Sequence, residues 1–314
     1  MDYGKYKFTC RFERDALLPA YKGSTFRGVF GRSLKQVVCA LRNNECSECL
    51  LRGNCFYARV FETPVVRDVA AGARVSEPPH PFIIEPPLTD KTDYAAGETF
   101  EVSLTLFGEA NQNFPYFLYA FDRMGRIGLG RRIGGRRGQF TVETVSSGGR
   151  EIYSAKEKKM TLPEEQEHLS LAPVNRDGNS EKRLRLHILT PFRFKYGNSL
   201  MRDELPFHVL TRAMLRRIAV LMEHYDQGEP PLDYPGLINR SHTVSTTRSD
   251  IRWYDWERFS FRQKQRMPMG GILGTVEYKG RLDEFLPLLD FSSKVNLGKN
   301  TSFGLGKIYA EVMQ

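Results

Sequence analysis

Six histidines, one cluster of four cysteines and a run of arginines among glycines are the groups in this chain whose types and spacing could do chemistry. An imidazole titrates near neutrality and can take or give a proton, so each histidine is a candidate acid or base. His242, in N-R-S-H-T-V-S-T-T-R, is read as catalytic: it has hydroxyl and arginine neighbours and stands where a loop enters a strand. His80 in P-P-H-P, His168 in an acidic polar segment and His224 near a helix end read as surface groups. His187 lies opposite Leu184, Leu186 and Ile188 in an alternating strand, and His208 starts a helix; both read as structural.

Cys39, Cys46, Cys49 and Cys55 form C-x6-C-x2-C-x5-C. Four thiolates so close in sequence suit tetrahedral zinc, and a site with all four ligands from protein is closed and therefore structural. An iron–sulfur cluster uses the same four thiolates, and four free thiols are the third reading. The fifth cysteine, Cys10, stands apart in a strand, so a secreted disulfide framework fits poorly.

Met124 to Gly138, M-G-R-I-G-L-G-R-R-I-G-G-R-R-G, holds six glycines, five arginines and no acid. Glycine lets backbone approach a ligand closely, and the guanidinium fork matches phosphate oxygens. Arg126, Arg131, Arg132, Arg136 and Arg137 are therefore read as a loop that grips a phosphate-rich polymer. A second basic stretch interleaves Trp253, Tyr254, Trp256 and Phe259 with Arg248, Arg252 and Arg258, a pattern in which rings stack bases and charges hold phosphates. For Trp253 and Phe259 the core is the preferred reading.

The whole chain agrees with such a partner. Its 46 Lys and Arg against 37 Asp and Glu give a net charge of +9, which favours a nucleic acid over a small neutral substrate. The opening M-D-Y-G-K-Y-K-F-T-C-R-F-E has no apolar signal core, and no apolar run reaches the roughly 18 residues of a membrane span, so a cytoplasmic chain without a membrane partner is expected.

The elements that must position these groups repeat in two halves. Lys7 to Glu13 reads as a strand, Ser24 as the N-cap of a helix with Phe30, Leu34, Val37, Val38 and Leu41 on one stripe, and Phe82 to Glu85 and Thr99 to Phe107 as strands. A helix follows with Phe114, Phe117, Leu118, Phe121 and Met124 inward, then the glycine and arginine loop and the strand Gln139 to Val145. The second half gives a strand at Leu184 to Ile188, a helix from Phe207 to Tyr225 and strands at Ile251 to Arg262 and Gly271 to Lys279. A short helix with Leu282, Phe285, Leu286 and Leu289 and a last strand, Ile308 to Met313, complete it. The pattern predicts an α+β chain of two β-α-β-β-α-β, ferredoxin-like modules, residues 1–150 and 182–314, joined by a linker at 151–181, with the cysteine-rich insertion following the first helix.

Two segments carry a family resemblance. G-G-I-L-G-T-V-E-Y-K-G-R-L-D-E-F-L-P-L-L-D-F followed by V-N-L-G-K-N-T-S-F-G-L-G-K resembles the C-terminal signature of the CRISPR repeat-processing endoribonucleases, the sixth Cas family within the RAMP superfamily, and L-P-A-Y-K-G-S-T-F-R-G-V-F-G-R resembles their N-terminal element. The resemblance implies binding of the CRISPR repeat and one cut per repeat without a catalytic metal. The ribose 2′-hydroxyl attacks the adjacent phosphate and leaves 2′,3′-cyclic phosphate and 5′-hydroxyl ends. It also implies RNA contact by Lys294, Gly298, Lys299, Thr301, Gly304, Gly306 and Lys307. The family's usual histidine in or after the first helix is missing here, and Asn296 stands where others carry histidine in the signature. Tyr21 and Lys22, at the matching N-terminal loop, are the remaining candidates to orient the hydroxyl and stabilise charge on phosphorus. A non-catalytic RAMP subunit that holds crRNA in an effector complex is the alternative that the same resemblance leaves open.

Overall fold

Tyr6, Phe8, Cys10 and Phe12 alternate with Lys7 and Arg11, and this period of two builds the central strand β1 (Asp2–Phe12) with its aromatic face inward. The structure is a computed structural model. It describes residues 1–41, 45–63, 78–162, 167–173, 180–197, 199–260 and 265–313, with backbone alone for Phe259 and Ser260. After β1 come α1 (Gly23–Val38), β2 (Phe82–Glu85), β3 (Thr99–Phe107) and α2 (Phe114–Ile127). The short strands β4 (Leu129–Ile133) and β5 (Arg136–Gly138) follow, then β6 (Phe140–Ser147). The sheet runs β6-β1-β3-β2, antiparallel throughout, which is the ferredoxin-like order.

Both helices lie over one face of this sheet because their buried residues recur at helical spacing: Phe26, Val29, Phe30 and Leu34 on α1, and Phe114, Phe117, Ala120, Phe121 and Met124 on α2. Aromatic rings fill the layer between. Phe8 stacks on Phe121 at 4.2 Å, Tyr6 on Phe114 at 3.9 Å, and Phe30 lies parallel to Phe117 at 5.9 Å.

The second module repeats the order with β7 (Lys182–Phe192), α3 (Phe207–Tyr225), α4 (Tyr234–Ser241), β8 (Ser245–Tyr254), β9 (Gly271–Gly280), α5 (Leu286–Val295) and β10 (Ile308–Met313). Its sheet runs β8-β9-β7-β10, again antiparallel. Leu184, Leu186, Ile188, Val276 and Tyr278 face the helices and are buried with Leu210, Met214, Ile218 and Leu221 of α3. The chain is thus a tandem of ferredoxin-like folds. Its compact units are Met1–His168 with His224–Asp226, and Leu169–Glu223 with Gln227–Gln314.

Several elements differ from the sequence reading. The cap of α1 is Lys22, whose carbonyl accepts from the Phe26 amide at 3.0 Å, so Ser24 lies inside the helix. The helix ends at Val38, and Cys39 is already extended. β8 begins at Ser245, ahead of the expected Ile251, because it is an edge strand whose residues from Ser245 to Asp250 are all exposed and so carry no apolar alternation. It stops at Tyr254, and a separate hairpin pairs Glu257–Ser260 with Gln265–Pro268; the expected strand end, residues 261 and 262, lies outside the described residues. Arg150–Ser154, in the segment read as a linker, pairs with β6 and buries Ile152, while Asp177 to Asn179 lie outside the described residues. The helix α4 has no counterpart in the sequence reading. Asp233 caps it by accepting from the Gly236 amide at 3.0 Å, with Pro235 in the first turn.

Candidate functional site

The glycine and arginine stretch is a hairpin, not a loose loop. Gly134 and Gly135, with φ of +56° and +81°, form the two-residue turn that joins β4 to β5, a conformation glycine adopts without strain. Arg131, Arg132 and Arg136 are exposed on its arms and Arg137 is half-buried. Among the described residues none of these four has an ion-pair partner, so their charge is available to an anion. Arg126 lies outside the hairpin, in the last turn of α2, and is bridged to Asp122 at 2.8 Å.

His242 sits at the C-cap of α4, exposed, in the turn that leads into β8. Its ring stacks on that of His208, in the first turn of α3, with centroids 4.1 Å apart and planes 18° from parallel. The Tyr196 ring meets His208 edge-on at 5.6 Å. Burial, then the neighbouring His242 and Arg212, hold the His208 pKa below the usual imidazole value. His208, read as structural from the sequence, therefore belongs to the same cluster as the candidate catalyst. Nothing local in the sequence joins two residues separated by the whole of α3 and α4.

Tyr21 and Lys22 part company. Tyr21 is half-buried ahead of α1, whereas Lys22 has no exposed surface. The Lys22 ammonium donates to the carbonyls of Ala20 at 3.0 Å and Thr89 at 2.5 Å, and burial lowers its pKa against the opposing pull of Asp90. The ammonium proposed to meet a phosphate instead ties two loops together in the interior.

The glycine-rich signature also turns inward. Gly298, Gly304 and Gly306 have φ of +82°, +79° and +75°. A Cβ on Gly298 would lie 2.5 Å from the Arg193 carbonyl oxygen and one on Gly306 would overlap that of Leu297, so these glycines serve close backbone packing. Gly304 and Gly306 are buried, which corrects their reading as RNA contacts. Asn296, fully buried, donates to the Leu305 carbonyl at 3.1 Å and closes the same loop. Of the polar residues here Lys299 is exposed, Thr301 and Lys307 are half-buried, and Lys294 is paired with Asp290 at 3.0 Å.

Residues 186–308 match the family of the CRISPR-associated endoribonuclease Cas6, and residues 1–166 match a family described as an N-terminal domain. The C-terminal part of the chain is thus similar to the Cas6 endoribonuclease family. An uncharacterized protein of Archaeoglobus fulgidus is 25% identical over 293 residues, which covers 92% of this chain and 91% of that one. Among solved structures, Thermus thermophilus Cas6 superposes with a TM-score of 0.54 at 12% identity, covering 99% of this chain and 98% of the other. A partial Cas6-RT-Cas1–Cas2 complex gives 0.61 at 11% identity, covering 99% of this chain but 46% of the matched one, so this chain spans under half of that relative. At these identities the likeness to the solved structures is one of fold.

Within the Cas6 domain, Arg248 and Arg252 lie on the open face of the sheet. Arg248 stands opposite Glu277, and Arg252 opposite Leu273. Trp253 is covered by the Arg202 guanidinium at 4.8 Å, and Arg258 lies over Phe303 at 4.8 Å. The Phe259 side chain lies outside the described residues.

In the N-terminal unit the four clustered cysteines follow α1, with Cys46 and Cys55 packed against the hydrophobic core. Among the described residues no three or more His, Cys, Asp or Glu side chains are placed to hold a metal ion. Cys39, Cys46, Cys49 and Cys55 are all half-buried. Among the described residues no helix is long and apolar enough to cross a membrane.

Proposed function

We propose that this chain is a CRISPR repeat-processing endoribonuclease whose substrate is the repeat of a precursor transcript. The observation that carries the reading, beside the Cas6 match of residues 186–308, is the β4–β5 hairpin: Arg131, Arg132, Arg136 and Arg137 are grouped on a two-strand arm and have no acidic partner among the described residues. Such an arm follows a line of phosphates. Cleavage proceeds by attack of the ribose 2′-hydroxyl on the adjacent phosphate, with His242 moving a proton and no metal ion taking part. The products carry a 2′,3′-cyclic phosphate and a 5′-hydroxyl.

The test is cleavage of cognate repeat RNA by the purified protein, with and without EDTA. One discrete cut per repeat, unchanged by EDTA and abolished by a 2′-deoxy nucleotide before the scissile bond, is expected. Tight repeat binding with no cut would instead fit a crRNA-holding subunit. Cleavage of the 2′-deoxy substrate would rule out the chemistry. A structural zinc on Cys39, Cys46, Cys49 and Cys55 is a separate proposal resting on their spacing alone. Elemental analysis should find about one zinc per chain, or iron with sulfide if a cluster forms instead, and a stable metal-free protein would refute both.

A further inference from the structure

His208 and His242 come from different helices, and the fold spends specific interactions on bringing them together. Arg240 holds α4 in place: its Nε donates to Glu284 at 2.9 Å, and a second arm reaches Asp233, the residue that caps the helix. The end of α4 is thereby fixed and sets the ring of His242 against that of His208. Tyr196 closes the third side, and Arg212 stands one turn along α3 from His208.

We infer that His208 and His242 form a two-imidazole proton-transfer pair, with His208 taking the proton from the attacking 2′-hydroxyl and His242 giving one to the departing 5′ oxygen. This rests on the endoribonuclease reading above and divides its acid and base roles between two named groups. The bond from the 2′ oxygen to phosphorus forms as the bond from phosphorus to the 5′ oxygen breaks. The proton lost by the hydroxyl passes to a ring nitrogen of His208, and the leaving oxygen receives the proton of His242. The pair ends with the proton on the other ring, and exchange with solvent restores it, so no further reactant is needed.

The environment separates the roles. His208 is half-buried, and its titratable and charged neighbours among the described residues are His242 from the end of α4, Arg212 from its own helix and Tyr196 from the strand Lys195–Tyr196 ahead of α3. Burial, then His242 and Arg212, disfavour a proton on His208 and favour the neutral ring that accepts one. The exposed His242 reaches solvent and a leaving group. Arg212, exposed one turn along α3 from His208, is placed to meet a nonbridging phosphate oxygen.

The test uses two substrates under single-turnover conditions: the natural repeat RNA, and the same RNA with sulfur in place of the 5′ oxygen at the scissile bond. Sulfur leaves without needing a proton, so it bypasses the acid but not the base. His208→Ala and His208→Gln should slow cleavage of both substrates by about 10²-fold or more at unchanged RNA affinity. The glutamine variant keeps a polar side chain of similar size and decides the matter if alanine disturbs the helix start. His242→Ala should slow the oxygen substrate to a similar degree and recover on the sulfur substrate. Parental rates in both His208 variants, or no recovery of His242→Ala on sulfur, would overturn the pair while leaving the endoribonuclease reading intact. If the unaltered protein cuts no repeat RNA, both readings fall together.

Discussion

Gly130 abuts the backbone of Leu17 so closely that a Cβ at Gly130 would lie 2.2 Å from the Leu17 carbonyl oxygen. At the next residue Arg131 registers with Leu17, so the strand Ala16–Leu17 and the arginine hairpin are stitched together at the point where glycine is required. Gly135, at the tip, has open space around it and needs glycine for its positive φ alone. Gly130→Val should therefore displace the whole hairpin and weaken repeat RNA binding, whereas Gly135→Asn, a residue that tolerates the left-handed region, should bind as the parent does. Equal affinities for both variants would show that the placement of the hairpin does not matter.

The arginines of the hairpin should reveal themselves in salt dependence. Each phosphate left without its guanidinium flattens the slope of log affinity against log salt by about 0.7 to 0.9. Replacing Arg131, Arg132, Arg136 and Arg137 by alanine should weaken binding most at low salt, since the attraction removed is already screened when salt is high. Arg126→Ala should change little, because its guanidinium is bridged to Asp122. Titrations of repeat RNA at several salt concentrations decide the point. An unchanged slope in the fourfold variant would make the hairpin a solvated feature.

How much of this was legible in the sequence depended on whether the signal was local. Phe114, Phe117, Phe121 and Met124 announce α2 because their spacing is that of one helix face, and all are buried. The two ferredoxin-like repeats follow from such patterns in order. What escaped depended on pairing across the chain. The arginine stretch was legible as basic and glycine-rich, but its Gly134-Gly135 turn between strands marks a hairpin only once the register of Ile133 with Arg136 is known. α4 had a legible start in Asp233 and Pro235, yet its short apolar stripe, with Leu237 alone deeply buried, gives almost no period. His208 and His242 meet only because α3 and α4 converge. The signature glycines were legible as important, but not that their role is to let backbone approach backbone, which no residue type announces.

Lys22 should prove a stability residue. Its ammonium satisfies the carbonyls of Ala20 and Thr89 in a site without solvent exposure, so removing it strands two acceptors and leaves a void beneath the entrance to α1. Lys22→Ala should cost on the order of 1–3 kcal/mol of stability, the scale of leaving buried polar groups unmade. Denaturant unfolding measures it. At temperatures where the variant remains folded its cleavage rate should match the parent, and a rate loss of about 10²-fold in a fully stable variant would restore Lys22 to the catalytic reading.

The pH profile tests the electrostatics around His208 with a definite sign. A neutral His208 accepts the proton, so the acid limb of the rate should rise as pH climbs through its pKa. Burial, His242 and Arg212 hold that pKa below the usual imidazole value, and the rising limb should accordingly lie on the acid side of the ordinary histidine range. Arg212→Ala removes one positive charge that disfavours the protonated ring. The pKa of His208 should then move up toward its ordinary value and the rising limb should shift to higher pH, leaving the variant most impaired in acid, where more of its His208 is protonated. Arg212 is the better probe than His242, since His242→Ala also removes the proposed acid. Single-turnover rates across the imidazole range give the limb directly. A limb that stays in place or moves to lower pH in Arg212→Ala would show that the group titrating in the rate is not His208.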